Sequence, residues 1–151
     1  MAVTIAPATE AAEAIVARLN SGTAYCLDVR AEHTPQIVDA LENLTELRCD
    51  VCTETEEQLN ETLDVEDRTS HVLTIWVRSK VSETSGDEID ALKLLVRQIF
   101  QRVNNYDTTD RRVMVWDCDL ATKENPDKEF MRQHGVFISA IQLRVEVGSS
   151  A

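Results

Sequence analysis

Two cysteines with CxxC spacing are the first residues in this sequence that suggest chemistry. Cys49 and Cys52 enclose Asp50 and Val51, a spacing typical of zinc sites and of dithiol redox centres. A structural zinc ion needs four ligands, but the chain has no second pair of this kind. The surrounding residues alternate between apolar and polar side chains, which predicts a strand in which positions three apart point to opposite faces. We therefore predict no metal site and no redox centre.

The three histidines are the next candidates for chemistry. His33, His71 and His134 are scattered, and no serine or cysteine accompanies them in a recognisable nucleophile setting. The chain has four glycines and no glycine-rich turn after a predicted strand, so a phosphate-binding loop is not expected. We predict no catalytic residues, no cofactor and no enzymatic activity. A carboxylate-dependent hydrolase stays open as an alternative, which a pocket holding two acids with mutually shifted pKa values would support.

The strongest local charge feature is an acidic segment over residues 54–67. Its acids lack the alternating spacing and central glycine of a calcium-binding loop. With only Leu59, Leu63 and Val65 as large apolar residues, the segment is too polar for a core element. We predict a long, mobile acidic loop. Its acidic residues are Glu54, Glu56, Glu57, Glu61, Asp64, Glu66 and Asp67.

The chain as a whole is also acidic. Its 151 residues include 15 basic and 27 acidic side chains, and the resulting net charge of -12 opposes binding to nucleic acid phosphates and to anionic membranes. No segment approaches the roughly 18 consecutive apolar residues that a membrane span requires, and the first residues do not resemble an export signal. We expect a soluble, cytosolic protein with free thiols, folded as a single domain over residues 1–151.

Helical periodicity predicts two helices and a less regular third. An apolar stripe predicts a first helix with Thr9 as its N-cap and Asn20 near its end. A capping box that begins at Ser85 predicts a longer helix from Asp87 to Asn104. A further helix is predicted over residues 34–44, where a threonine and a proline provide a start signal.

Alternation of apolar and polar side chains predicts the strands. Met114, Trp116 and Cys118 are expected to share one strand face, and a polar connection over residues 119–133 is expected to follow. The last four strands most simply form an antiparallel sheet with the long helix and the N-terminal helix on one face. The predicted fold is therefore α+β, a two-layer sandwich with a four-stranded, mainly antiparallel sheet. The predicted strands cover residues 25–29, 47–53, 69–78, 113–118 and 136–147.

The predicted sheet is apolar on both faces, and a sheet of this kind needs a second cover. That cover is either a neighbouring subunit or the segment over residues 31–47 of the same chain. Leu94, outside the apolar stripe of the long helix, is either an ordinary exposed leucine or a contact with a neighbour. The candidate interface residues are Val72, Trp76, Leu94, Val136 and Ile138.

The order of these elements resembles a known family. The end of the first helix at residues 17–20, the strand at 72–77, the aspartate-led helix at 87–99 and the closing strand at 137–143 are similar to the tail-terminator (tail-completion) proteins of long-tailed bacteriophages. The resemblance lies in element order and apolar pattern and includes no catalytic or ligand-binding motif.

This resemblance implies a structural virion protein. Such a subunit assembles as a ring, usually of six copies, that caps the tail tube and joins it to the head-proximal connector. The implied partners are further copies of itself, the tail tube protein and the connector or neck protein, with DNA only as passing cargo and no membrane. The implied location is the tail or neck of the virion, after assembly in the host cytoplasm. Two alternatives remain: another phage neck or head-completion protein, and a monomeric ferredoxin-like adaptor or regulatory module.

Overall fold

The structure, a computed structural model, describes residues 6–34, 46–53, 69–81, 86–120 and 135–148. The described residues form an α+β protein with two helices and one sheet. Apart from Thr34, the predicted helix over 34–44 lies outside the described residues, as do the acidic segment over 54–67, most of the polar connection, Ser85 and His134. The elements are α1 (Pro7–Leu19), β1 (Ala31–His33), β2 (Arg48–Cys52), β3 (Thr69–Lys80), α2 (Gly86–Val103), β4 (Val113–Leu120) and β5 (Val136–Val147).

The sheet has five described strands in the order β1-β2-β3-β5-β4. β2, β3, β5 and β4 pair antiparallel, whereas β1 pairs parallel with β2. The four strands predicted to form an antiparallel sheet are present, but the edge strand β1 makes the sheet five-stranded and mixed. The two central strands, β3 and β5, pair over 12 residues from Thr69 opposite Val147 to Lys80 opposite Val136.

The predicted strand over residues 25–29 is wrong, since the edge strand begins only at Ala31. Tyr25, Leu27 and Val29 are half-buried and pack against the core, which explains their alternation. The backbone N–H of Cys26 donates to the Gln98 side chain on α2 at 2.9 Å, so this amide is not used in a strand ladder. Side-chain packing alone therefore produced a strand-like pattern.

One core cluster joins buried side chains of both helices to alternate residues of the strands. Leu73, Ile75 and Val77 of β3 belong to this cluster, as the sequence alternation predicted. α1 contacts β1, β2, β3 and β5, while α2 contacts β4, β5 and α1. We call the strand face in this cluster the core face and its reverse the second face.

Both helix ends follow from local chemistry. α1 begins at Pro7, a turn before the predicted start, and its N-cap is Ala6, so the prediction of Thr9 as N-cap is wrong. Proline suits the first helical turn because its φ is already helical and it has no N–H to leave unpaired. α1 ends at Leu19, as predicted, and α2 lies within one residue of its predicted bounds at each end.

A β-bulge interrupts β4 at Trp116. Val115 pairs with Val145 and Asp117 with the next residue of β5, Arg144, so β4 contains one extra residue. The insertion reverses the alternation of the residues that follow it. The prediction that Met114, Trp116 and Cys118 share a face is therefore wrong.

After the bulge, the side chains of β4 alternate between the two faces in the opposite sense. Cys118 pairs with Leu143 and Leu120 with Ile141, which puts both β4 residues on the core face. The strand also continues through Leu120, so the predicted polar connection cannot begin at residue 119.

Candidate interaction surface

An apolar groove lies between α2 and the outer strand β4. Leu94 from the helix and Leu120 from the strand line it, and these side chains are 47% and 41% exposed. The groove has a volume of about 560 Å³. Large exposed apolar side chains on both sides of one groove are typical of an interaction surface. The lining residues are Lys93, Leu94, Val96, Arg97, Phe100 and Leu120.

The position of each leucine has a simple local cause. Leu94 follows the buried Leu92 by two residues, a rotation of about 200° around the helix, so it faces away from the core. Leu120 is on the core face only because of the bulge, and it lies at the border of the sheet where the core ends. The helical pattern identified Leu94 from the sequence, but no sequence signal identified Leu120.

Two basic residues line the same groove. Lys93 and Arg97 are exposed and one helical turn apart. Neither takes part in the ion pairs found among the described residues, which use other arginines. The groove therefore combines an apolar lining with positive charge.

The outer edge of β4 is paired only in its first half. Asp107 forms a bridge with Met114, and the N–H of Val115 donates to the carbonyl of Tyr106 at 2.8 Å. From Trp116 to Leu120, no strand in the described ranges pairs with this edge. Trp116 is 51% exposed at the bulge, and the Arg144 guanidinium lies 5.9 Å from the centre of its ring. We call this side of the molecule, with Leu94, Trp116 and Leu120, the α2–β4 border.

The second face of the sheet carries the other four predicted interface residues. Val72 and Val136 are buried, while Trp76 and Ile138 are half-buried. Ala140, which pairs with Trp76 across β3 and β5, is also buried. Much of this face is thus buried within a single chain. The α2–β4 border exposes more apolar surface and is the stronger candidate for contact with another molecule.

Polar groups on the second face are joined by one carboxylate. Asp50 accepts a hydrogen bond from Arg78 at 2.9 Å and another from the Thr34 hydroxyl at 2.9 Å. A longer contact of 3.4 Å links it to Arg48. This cluster ties β2 and β3 to the residue after β1, so its role is structural.

A second polar cluster anchors the end of α1. Arg102 donates to the carbonyls of Leu19 at 3.3 Å and Ser21 at 3.0 Å, and its guanidinium lies 4.1 Å from the centre of the Tyr25 ring. The Tyr25 hydroxyl donates to the same Leu19 carbonyl at 2.6 Å. Burial raises the pKa of Tyr25, while the nearby Arg102 acts in the opposite direction. A cation at the carbonyl end of a helix stabilises it, so this arrangement also has a structural explanation.

The cysteines do not converge on one site. Cys49 belongs to the core cluster and Cys52 points to the second face, which confirms the prediction that the two lie on opposite sides of a strand. Burial, followed by the charges of Asp50 and Cys52, raises the pKa of Cys49 to about 12. Burial, followed by the charges of Asp117 and Asp119, raises the pKa of Cys118 to about 12 as well. Both thiols are therefore protonated at neutral pH.

The described histidines, the other candidates for chemistry, lie on different strands. His33 is in β1, and His71 is in β3, where its Nε2 lies 2.8 Å from the Thr69 hydroxyl. Within the described ranges, no three histidine, cysteine or acidic side chains are grouped so that they could hold a metal ion. The described helices include none with the length and hydropathy of a membrane span.

The α2–β4 border offers apolar contact, positive charge and an open strand edge. These properties are typical of a surface that binds another polypeptide. Comparison of the chain with protein-family models and with curated protein sequences gave no match.

Proposed function

We propose that this protein is a structural subunit of a phage neck, which assembles into a closed ring in the manner of tail-terminator proteins. In this proposal, six two-layer α+β subunits form a ring that caps the tail tube and joins it to the head-proximal connector. The partners are copies of the chain itself, the tail tube protein and the connector protein. DNA only passes through the ring, and the protein performs no catalysis.

The observation that carries the proposal is the α2–β4 border. Leu94, Trp116 and Leu120 are the large apolar side chains that stand out as exposed among the described residues. Leu94 and Leu120 line the groove, while Trp116 lies at the same edge of the sheet beside Arg144 of the second face. The opposite border of the sheet is the three-residue strand β1, so the two ends of the sheet differ in structure. A contact between two unlike surfaces is head-to-tail, and repetition of such a contact generates a ring when the rotation closes.

The free energy expected from one such contact is small, so a closed ring would hold the subunits together better than a single pair. Covering three half-exposed apolar side chains contributes on the order of 3 to 4 kcal/mol. That is modest for one interface, because a stable interface usually buries about 1,600 Å². In a ring each subunit makes two such contacts, so the whole assembly is held more firmly than any isolated pair.

The net charge is compatible with the same role. A ring through which DNA slides must not hold the phosphates, and carboxylates repel them. The 12 excess negative charges of each chain therefore suit a DNA passage.

Native mass spectrometry and negative-stain electron microscopy of the purified protein test the ring. We expect hollow particles of about 102 kDa, six times the 17.0 kDa of one chain. Particles mixed with polymerised tail tube protein should bind at tube ends. A 17.0 kDa monomer at all concentrations would contradict the proposal and favour a monomeric adaptor module. Rings that bind only the connector would instead favour a different neck protein.

A further inference from the structure

We propose that the groove between α2 and β4 binds the acidic segment, residues 54–67, of a neighbouring copy. This inference rests on the ring proposed above and identifies the surfaces through which its subunits meet. It joins two features that the ring alone leaves unexplained: the cations of the groove, and the concentration of acids in one segment.

The groove has the chemistry for an acidic and partly apolar ligand. Lys93 and Arg97 provide two cations on successive turns, without ion-pair partners in the described ranges. Leu94, Phe100 and Leu120 provide the apolar lining between helix and strand. A purely apolar ligand would leave the cations without counter-charges, and a purely acidic one would leave the leucines exposed.

The acidic segment has the complementary composition. Seven of its fourteen residues are acidic, and Leu59, Leu63 and Val65 are distributed among them. Carboxylates that reach Lys93 and Arg97 would form charge-assisted hydrogen bonds, while the leucines enter the groove. Complementary charge of this kind selects the partner and accelerates association.

The two features belong to different elements of the fold. The acidic segment follows β2 and precedes β3, whereas the groove lies between α2 and β4, at the far edge of the sheet from β1. Complementary surfaces at different places on a subunit are what a head-to-tail ring requires.

A charge-reversal experiment tests this contact. One variant reverses the groove (Lys93→Glu with Arg97→Glu), and a second reverses the net charge of the segment (Glu56→Lys, Glu57→Lys, Glu61→Lys, Asp64→Lys and Glu66→Lys). Each variant alone places like charges in the contact and should lower the apparent association constant at least about tenfold. An equal mixture restores opposite charges at every contact and should form rings in which the two variants alternate. Native mass spectrometry resolves the variants and their mixture.

Two controls make the result interpretable. Lys80→Glu reverses an exposed cation at the end of β3, away from the groove, and should leave the rings intact. Circular dichroism melting curves show whether each variant is folded. The substituted groove residues are exposed on a helix, so the groove variant is expected to melt within a few degrees of the wild type.

Each outcome has a distinct meaning. If the wild type forms rings and the groove variant still does, the groove contact is overturned while the ring proposal stands. If both variants dissociate but their mixture stays dissociated, the segment is not the ligand of the groove. A groove variant that loses thermal stability but keeps its rings would place the ligand in the same copy, against the proposal. A monomeric wild type overturns both proposals.

Discussion

Asp50 and Arg78 form an ion pair of 2.9 Å across β2 and β3, and their side chains are only 1% and 3% exposed. Removing two charges from water is costly, so a buried pair requires close contact and further hydrogen bonds. Asp50 obtains one of these from the Thr34 hydroxyl. This pair therefore links β2 and β3 at the end of the sheet that is remote from β4.

Asp50→Ala is expected to lower the free energy of unfolding by about 3 to 5 kcal/mol, because it removes the carboxylate partner of a buried guanidinium. Urea denaturation followed by circular dichroism measures the loss. Glu32→Ala is the matched control, since it removes an exposed ion pair of 3.3 Å with Arg48 and should cost less than about 1 kcal/mol. Equal effects of the two substitutions would show that burial of the Asp50 pair is unimportant.

The two tryptophans are expected to respond differently to the same substitution. Trp76→Ser truncates a half-buried side chain on the second face and should lower monomer stability by about 2 to 3 kcal/mol, while the assembly state persists. Trp116→Ser changes a side chain that is 51% exposed, so it should cost less stability, about 1 kcal/mol, while the rings weaken. Denaturation and native mass spectrometry separate the two effects. If Trp76→Ser gives folded but dissociated subunits, the interface lies on the second face instead.

Leu94→Glu is expected to weaken assembly and leave the subunit folded. The substitution places a charge in the groove, where a neighbour would have to desolvate it. Gln101→Glu is the control, because it adds the same charge at an exposed position of α2 outside the groove lining. Sedimentation velocity measures both variants. If Leu94→Glu sediments as the wild type does, Leu94 is an ordinary surface leucine.

Thiol reactivity provides a test of the core. At pH 8, Cys26 is expected to be alkylated fastest because it is exposed, whereas Cys49 and Cys52 are buried. Cys118 should also react slowly, since its pKa of about 12 leaves little thiolate. Mass spectrometry after brief iodoacetamide treatment should show modification mainly at Cys26, and all four thiols should react in urea. Rapid alkylation of Cys118 in the folded protein would argue against its position on the core face.

Alkaline pH should destabilise the fold through Cys49. Its pKa is raised from 9.0 to about 12 by folding, so its stabilising contribution is present below pH 9 and is lost as the pH rises toward 12. Cys49→Ala lacks this contribution at every pH. The stability advantage of the wild type over Cys49→Ala should therefore shrink between pH 8 and pH 11 in urea titrations. An advantage that grows over this range has the opposite sign and would contradict the raised pKa.

The sequence predicted the long elements well and the irregular ones poorly. β5 and α2 have apolar patterns over 12 and 18 residues, so their bounds were predicted to within one residue. β1 has only three residues, which is too short for any period, and its pairing depends on the distant strand β2. The bulge at Trp116 leaves no local signal, because the residues around it alternate as they would in a regular strand.

The candidate surface was predictable in the same uneven way. Leu94 followed from its position on a helix, and its exposure needs no knowledge of the rest of the fold. Leu120 and the open edge of β4 depend on the bulge and on strand order, which emerge only when the sheet forms. Lys93 and Arg97 look like ordinary surface cations until the groove places them beside exposed leucines.

The bulge at Trp116 also bears on how an open strand edge escapes aggregation. A flat, regular edge is a template on which further chains can add without limit, as in amyloid fibrils. The extra residue bends and twists β4, so an incoming strand cannot stay in register along the whole edge. Association at this edge must then depend on side chains, which saturate once each copy has its neighbours. A single inserted residue thus favours an assembly of fixed size over one that grows indefinitely.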